Sequence, residues 1–193
     1  MIACLLIGVI ALTSVSSSIS LLKGSSENVV NTFTFETEEG KIAVKLDETD
    51  IDNSSKRTDK NDYTLSKGCT ISKDPTATII AGSVDSYVFI YIDNPLSDDF
   101  EINYSSVWTL VASDGNKSLY MYKEIVESSE SDQVLTPLFT TITVSKDLSD
   151  EDIAAFGTKT MTLQAFAIGT DITQEEAINE AIAEFGLSSS SNT

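Results

Sequence analysis

The chain has 193 residues, of which 30 are acidic and 12 basic, so its formal net charge at pH 7 is −18. Such an acidic surface repels phosphate groups, which argues against nucleic acid or an anionic membrane as a partner. Histidine is absent, which excludes Ser-His-Asp and Cys-His catalysis and a zinc-binding H-E-x-x-H helix.

The N-terminus has the pattern of a secretory leader. Met1–Leu12 is an almost unbroken apolar run, and Thr13–Ser20 contains only Ser, Thr, Val and Ile. An apolar stretch of about 7–15 residues followed by small residues is typical of a signal peptide that is removed. The alternative, a membrane anchor, needs about 20 apolar residues. We therefore expect residues 1–20 to be a signal peptide, residues 21–187 one β-sandwich domain and residues 188–193 a flexible polar tail.

Cysteine usage fits an exported protein without disulfides. Cys4 lies in the predicted leader and would leave with it, so Cys69 would be the single cysteine of the mature chain. We expect Cys69 to pack as a small, half-buried apolar side chain.

Period-two alternation predicts strands through most of the mature chain. The first predicted strand, Val29–Phe35, has Val29, Asn31, Phe33 and Phe35 on one face. The strongest signal is Tyr87–Ile92, which is apolar on both faces and therefore predicts a central strand of a covered sheet. Further strands are predicted at residues 41–46, 66–71, 77–80, 100–104, 107–112, 119–125, 138–144 and 159–168.

Two short helices are predicted near the C-terminus. One begins at Ser149–Asp152, and the other begins at Thr173–Glu176, whose spacing is that of a capping box. Gly186 stands where a left-handed helix end is expected. Many short strands with few helices predict an all-β fold, a jelly-roll-like β-sandwich with one or two short helices, one of them C-terminal.

The charged stretch at residues 47–64 is predicted to be a long exposed loop. Asp47, Asp50 and Asp52 are its candidate metal ligands, since Ca²⁺ accepts clustered carboxylates. The EF-hand pattern fails, because Ser55 and Asn61 occupy the positions of its glycine and its bidentate glutamate. A solvated loop without a metal is the alternative, and we expect no cofactor.

Trp108 is the candidate ligand-binding residue. Its ring could stack on a carbohydrate, or it could anchor the core. A glycosidase with paired carboxylates is a further alternative, but 30 acidic residues make such a pair unspecific.

Several blocks of sequence, in their order and spacing, resemble the TasA/camelysin-like group of exported surface proteins of Gram-positive bacteria. The resemblance covers nearly the whole mature chain. The blocks are Val30–Phe35, Lys41–Glu48, Lys73–Ile79, Ala81–Ile90, Trp108–Leu110, Pro137–Val144 and Leu163–Ile168.

The resemblance implies a secreted jelly-roll subunit of extracellular fibres in a biofilm matrix. In such fibres the N-terminal segment freed by cleavage adds as a strand to the next subunit, and the residues that would insert here are Val29, Val30, Phe33 and Phe35. The partners implied are further copies of the chain, head to tail, and other matrix proteins. The alternative is that this strand pairs within its own subunit.

Relatives in this group carry a metalloprotease label, which we do not transfer because the chain has no histidine. We therefore expect a structural protein and not an enzyme. The alternative function is a surface adhesin that recognises a glycan or a host protein through residues 47–64 and Trp108.

Overall fold

The computed structural model describes residues 23–25 and 41–188, with backbone pairing alone for the first three. The strands are β1 (Lys23–Ser25), β2 (Val44–Thr49), β3 (Arg57–Thr58), β4 (Thr70–Ser72), β5 (Thr76–Ile79), β6 (Ser86–Asp93), β7 (Phe100–Ile102), β8 (Trp108–Asp114), β9 (Lys117–Tyr122), β10 (Gln133–Val134), β11 (Thr141–Val144) and β12 (Thr162–Gly169). The helices are α1 (Asp150–Phe156) and α2 (Gln174–Glu184).

The strands form three antiparallel sheets. Their orders are β1-β12-β6-β9-β8, β10-β5-β2-β3 and β4-β11-β7. The prediction of an all-β sandwich with a C-terminal helix is confirmed. Within residues 23–25 and 41–188, no helix is long and apolar enough to cross a bilayer.

The central strand is β6, as its sequence predicts. It pairs with β12 on one side and with β9 on the other. Val88, Ile90 and Ile92 point into the core between the sheets, while Phe89 belongs to a second core on the opposite face. Both faces of β6 are therefore covered, which explains its unbroken apolar sequence.

Helix α2 provides the cover for that second face. Thr173 and Glu176 form the predicted capping box, and the buried residues of the helix are Ala177, Ala181 and Ile182. Beyond the helix, the Phe185 ring stacks on Tyr91 with 4.6 Å between centroids. The helix therefore seals the outer face of the five-stranded sheet with an apolar stripe.

The stretch at residues 47–64 is not the fully exposed loop that its composition predicts. Strand β2 extends to Thr49, with Asp47 and Glu48 buried, and β3 pairs back onto it. Asp47 and Glu48 can be buried because Arg57 and Lys73 neutralise their charges.

The five-stranded sheet has two unlike edges. On the β8 edge, the register against β9 shifts between Leu110 and Ala112, which is a β-bulge that hinders further strand pairing. On the other side of the sheet, β1 pairs with Phe166–Ile168 of β12, which has a regular register against β6 and the uncharged sequence TLQAFAIG. The regular geometry of β12 is compatible with strand pairing along this side.

Candidate functional site

The two main sheets approach each other along a seam between β2 and β12, where Cα atoms of the two strands come within 8 Å. Strand β1 lies in this seam and pairs with β12, with Lys23 opposite Ile168 and Ser25 opposite Phe166. It contacts β2 as well. Three residues of β1 thus occupy one end of the seam.

Part of each strand edge along the seam has no strand partner within the described part of the chain. No strand among residues 23–25 and 41–188 pairs with the outer edge of Thr162–Gln164. On the facing strand β2, one edge pairs with β5, and β3 pairs with the other edge only at Glu48 and Thr49. Among the described residues, no strand therefore pairs with that second edge at Val44–Leu46. The seam therefore presents two facing rows of backbone donors and acceptors.

A cavity of about 790 Å³, the seam groove, continues the seam beyond β1. Its walls come from β2, β12, the three-stranded sheet, the loop at residues 58–67 and α1. Its apolar lining includes Leu46, Ile71, Phe100, Ile142, Val144 and Leu163. A groove bounded by strand edges and lined by apolar side chains has the features needed to accept an extended segment.

Helix α1 closes one side of the groove without entering the core. The helix has no buried residue. Phe156, at its end, stacks on Phe100 with 5.2 Å between ring centroids, and Asp150 forms an ion pair with Lys67 at 2.7 Å. Its attachment to the domain is therefore peripheral.

The groove also has polar and charged lining residues, and three of them form a buried cluster. Glu48 Oε2 accepts a hydrogen bond from Lys73 Nζ at 2.5 Å, and the two side chains are only 8% and 10% exposed. The Tyr63 hydroxyl donates to the same Glu48 oxygen at 3.3 Å. Lys73 Nζ also lies 5.4 Å from the centroid of the Tyr63 ring, a cation–π distance.

The electrostatics of this cluster keep Tyr63 protonated. Burial, followed by the negative charge of Glu48, raises the pKa of Tyr63 above its ordinary value of 10.0. The hydroxyl is therefore a donor to Glu48 at every physiological pH. The cluster, which we call the Glu48 cluster (Glu48, Lys73 and Tyr63), is a hydrogen-bonded polar site in the groove wall.

The composition of residues 47–64 does not predict the Glu48 cluster, but the alternation of inward-facing residues along β2 does. Ile42, Val44 and Leu46 alternate into the core, and the next position of that row is Glu48. A carboxylate among inward-facing residues is desolvated, which is strongly unfavourable unless a cation or hydrogen-bond donor pairs with it. Its partner, Lys73, lies 25 residues further along the chain.

The calcium candidates are not brought together. Asp47 is held by Arg57 Nε at 2.8 Å and by Lys45 at 2.6 Å. Asp50 accepts from the backbone N–H groups of Asp52 and Asn53 in a turn. Among the described residues, no group of three or more Asp, Glu, His or Cys side chains could hold a metal ion.

Trp108 lies in the core and is not an exposed platform. It is 5% exposed, its indole N–H donates to the carbonyl oxygen of Thr136 at 2.9 Å, and its ring packs edge-on against Tyr122. Neither face of the ring is free for a sugar, so stacking on a carbohydrate would require the core to open. The core-anchor alternative is the one that the structure supports.

The candidate donor residues Val29, Val30, Phe33 and Phe35 lie outside the described residues, as do the predicted leader and residues 189–193. Cys69 is free and half-buried, and its Sγ accepts from the Ser66 N–H at 3.3 Å.

Fold and groove together define a β-sandwich with a groove along the seam between β2 and β12. No protein-family model, curated protein or solved structure matches the chain.

Proposed function

We propose that the chain is a secreted, non-enzymatic structural subunit of extracellular or biofilm-matrix fibres, which assembles by donating its N-terminal β-strand to the next subunit. The observation that carries the proposal is the seam between β2 and β12. Within residues 23–25 and 41–188, it combines strand edges that have no strand partner with a groove whose lining includes apolar side chains from three sheets, and β1 pairs beside it.

In the described part of the chain, Lys23–Ser25 pair with Phe166–Ile168 at the seam, and a neighbour's strand would extend this antiparallel pairing. A neighbour's segment that continues into the groove gains further pairing and buries apolar side chains. Insertion into the next copy is a heterologous contact that does not close, and so it produces filaments.

The amino-acid sequence agrees with a structural role, because it lacks the commonest general base of enzymes. The chain offers no histidine as a general base. The most buried ion pair, Glu48–Lys73, is mutually satisfied, and its carboxylate also accepts from Tyr63. For the adhesin alternative, the burial of Trp108 removes one of the two proposed contacts, while most residues of the stretch 50–64 are exposed.

Electron microscopy of the processed chain, starting near Leu21, tests the proposal. At high concentration we expect fibres, while a chain without residues 21–36 should stay monomeric and folded by circular dichroism. Assembly of the deletion variant as efficient as that of the intact chain would refute strand donation.

A matched pair of point variants separates insertion from a general effect on folding. Phe33→Glu places a charge on the inserted face and should abolish fibres. Thr34→Glu places the same charge on the opposite face and should leave assembly largely intact. Equal effects of the two variants would contradict an inserted strand.

A further inference from the structure

The Glu48 cluster holds an amine and a carboxyl group in close contact and away from solvent. The Nζ atom of Lys73 lies 2.5 Å from Oε2 of Glu48, and the two side chains are 10% and 8% exposed. A carboxyl oxygen lies about 1.2 Å from its carbon, so Nζ is within about 3.7 Å of Glu48 Cδ. Atoms that are poised to react lie about 3–3.5 Å apart. The two groups therefore lie nearly as the reactants of amide formation do.

The backbone fixes both residues of this contact. Glu48 pairs with Thr58 in the β2–β3 hairpin, and the Lys73 N–H donates to the Thr140 carbonyl oxygen at 3.0 Å. Glu48 thus comes from the four-stranded sheet, whereas Lys73 directly follows β4 of the three-stranded sheet, 25 positions along the chain. Groups that a fold positions in this way react without the entropy cost of a bimolecular encounter.

The third member of the cluster is a proton donor on the same oxygen atom. The Tyr63 hydroxyl donates to Glu48 Oε2 at 3.3 Å. Removal from water penalises the ammonium and the carboxylate alike, which brings the ion pair closer in free energy to its neutral form. One proton passed along the hydrogen bond from Nζ to Oε2 gives the neutral amine and the carboxylic acid. These are the reactive forms, and Tyr63 is placed to assist the departure of the oxygen as a general acid.

Two other lysine–carboxylate contacts lack these features. Lys45 lies 2.6 Å from Asp47, but Asp47 is also bound by Arg57, whose permanently charged guanidinium stabilises the unreactive anion. Lys67 lies 2.7 Å from Asp150, but the Asp150 side chain is 96% exposed. The carboxyl group of the Glu48 cluster is buried and has a neutral phenol as its further partner.

We propose that Lys73 and Glu48 form an intramolecular amide bond in the folded chain, with Tyr63 as the proton donor. The Nζ lone pair attacks Glu48 Cδ, so that the Nζ–Cδ bond forms and the Cδ–Oε2 bond breaks. Two protons of the ammonium group end on Oε2, which leaves as water into the groove that all three residues line. Tyr63 gives a proton to that oxygen and regains one from Nζ. The two charges cancel, and no oxidant, reductant or further reactant is needed.

The bond would supply a covalent tie that cysteine does not provide here. Cys69 is the single cysteine of the described residues, and its thiol is free. An amide between positions 48 and 73 closes a loop of the chain and restricts the unfolded state, as disulfides do in exported domains. This inference does not depend on strand donation.

Intact-mass spectrometry of the denatured full chain tests the proposal, because an amide survives denaturation and an ion pair does not. We expect a mass one water molecule below that of the amino-acid sequence, and tandem spectra that join the peptide containing Glu48 to the one containing Lys73. Lys73→Arg keeps the charge but removes the amine, so the full sequence mass should return. Lys67→Arg makes the same change at the exposed pair with Asp150 and should keep the mass deficit.

Tyr63→Phe tests the proton donor, since it keeps the ring and removes the hydroxyl. In a time course after cell-free synthesis, the loss of water should be at least about 100-fold slower in this variant than in the native chain. An unchanged rate would overturn the role of Tyr63.

The native chain alone can overturn the proposal, even if a variant does not fold. A chain that is folded by circular dichroism and retains its full sequence mass would do so. A loss of water that persists in Lys73→Arg would also do so, because dehydration elsewhere, such as at Asp114–Gly115, would then be its source. Neither result bears on strand donation, which the fibre experiments decide.

Discussion

Asp74 ties the β2–β3 hairpin to the loop before β5. Its carboxylate accepts from the Thr49 N–H at 2.7 Å, from the Thr49 hydroxyl at 2.8 Å and from Arg57 at 2.6 Å. Burial alone would raise the pKa of Asp74, but these hydrogen bonds outweigh it and hold the pKa below its ordinary value of 3.8. Folding and the ionised form of Asp74 therefore favour each other.

Asp74→Asn should lower the free energy of unfolding at pH 7 by about 1–3 kcal/mol, because bonds to a charged acceptor are lost. The pKa of Asp74 is lower in the folded state than in the unfolded state. The stabilisation from ionised Asp74 is therefore complete above the pKa of the unfolded state, and it is lost as the pH falls through the pKa of the folded state. The gap between native chain and variant should thus shrink below about pH 4 in denaturant titrations.

The exposed Asp98 supplies the control for this measurement. Asp98→Asn should track the native chain across the same pH range. A gap between native chain and Asp74→Asn that stays constant from pH 7 to pH 2 would show that the carboxylate charge is not what matters.

Trp108 is the only tryptophan of the chain, so its fluorescence reports on one site. Because the ring is buried and bonded to Thr136, we expect short-wavelength emission that soluble glycans do not change. Trp108→Phe should lower the free energy of unfolding by about 1–2 kcal/mol through loss of the N–H bond and of contact area. An emission shift on glycan titration would revive the adhesin alternative.

At the scale of elements, the two helices carry the same cap but differ in burial. Ser149–Asp152 and Thr173–Glu176 are both complete capping boxes. Helix α2 buries three residues against the sheet, whereas α1 buries none. The same loss of a cap should therefore have different consequences in the two helices.

Thr173→Ala should lower the global free energy of unfolding by about 0.5–2 kcal/mol, since α2 folds with the core. Ser149→Ala should leave the global value nearly unchanged and accelerate amide exchange only within α1, because a peripheral element opens on its own. Chemical denaturation paired with hydrogen exchange measures both. Equal losses of global free energy of unfolding in the two variants would mean that α1 unfolds cooperatively with the core.

Local sequence patterns located the elements whose burial is simple. Strand β6 was predictable because a strand covered on both faces is apolar at every position, and α2 because its cap and stripe are local signals. Strands β3 and β10 span two residues each, too few to show a period. Asp47 and Glu48 were misassigned as exposed because their partners, Arg57 and Lys73, are remote in sequence.

Local sequence patterns could not predict the groove, because it is formed by residues that are remote in sequence. It depends on β2 lying beside β12, strands separated by more than 100 residues, and no local period encodes that contact. The sequence did supply the segment at Val29–Phe35 and its alternation. It did not locate the groove that we propose as the binding surface for this segment.

At the scale of the whole molecule, the proposed fibre assembly would have to overcome charge repulsion. Residues 1–20 contain no charged side chain, so removal of the predicted leader would leave the side-chain charge at −18. Subunits of this charge repel one another over a distance of about 30 Å at 0.01 M salt, which shortens to about 8 Å at 0.15 M. Apolar strand insertion, by contrast, depends little on salt at these concentrations.

The critical concentration of the processed chain should therefore fall severalfold when NaCl rises from about 0.01 M to about 0.15 M. Sedimentation of fibres followed by assay of the soluble fraction measures it, with Phe33→Glu as the variant that stays soluble at both concentrations. A critical concentration that rises with salt would mean that complementary charges, and not an inserted strand, hold the subunits together. Equal responses to CaCl₂ and MgCl₂ identify the effect as screening, because a calcium site would distinguish the two ions.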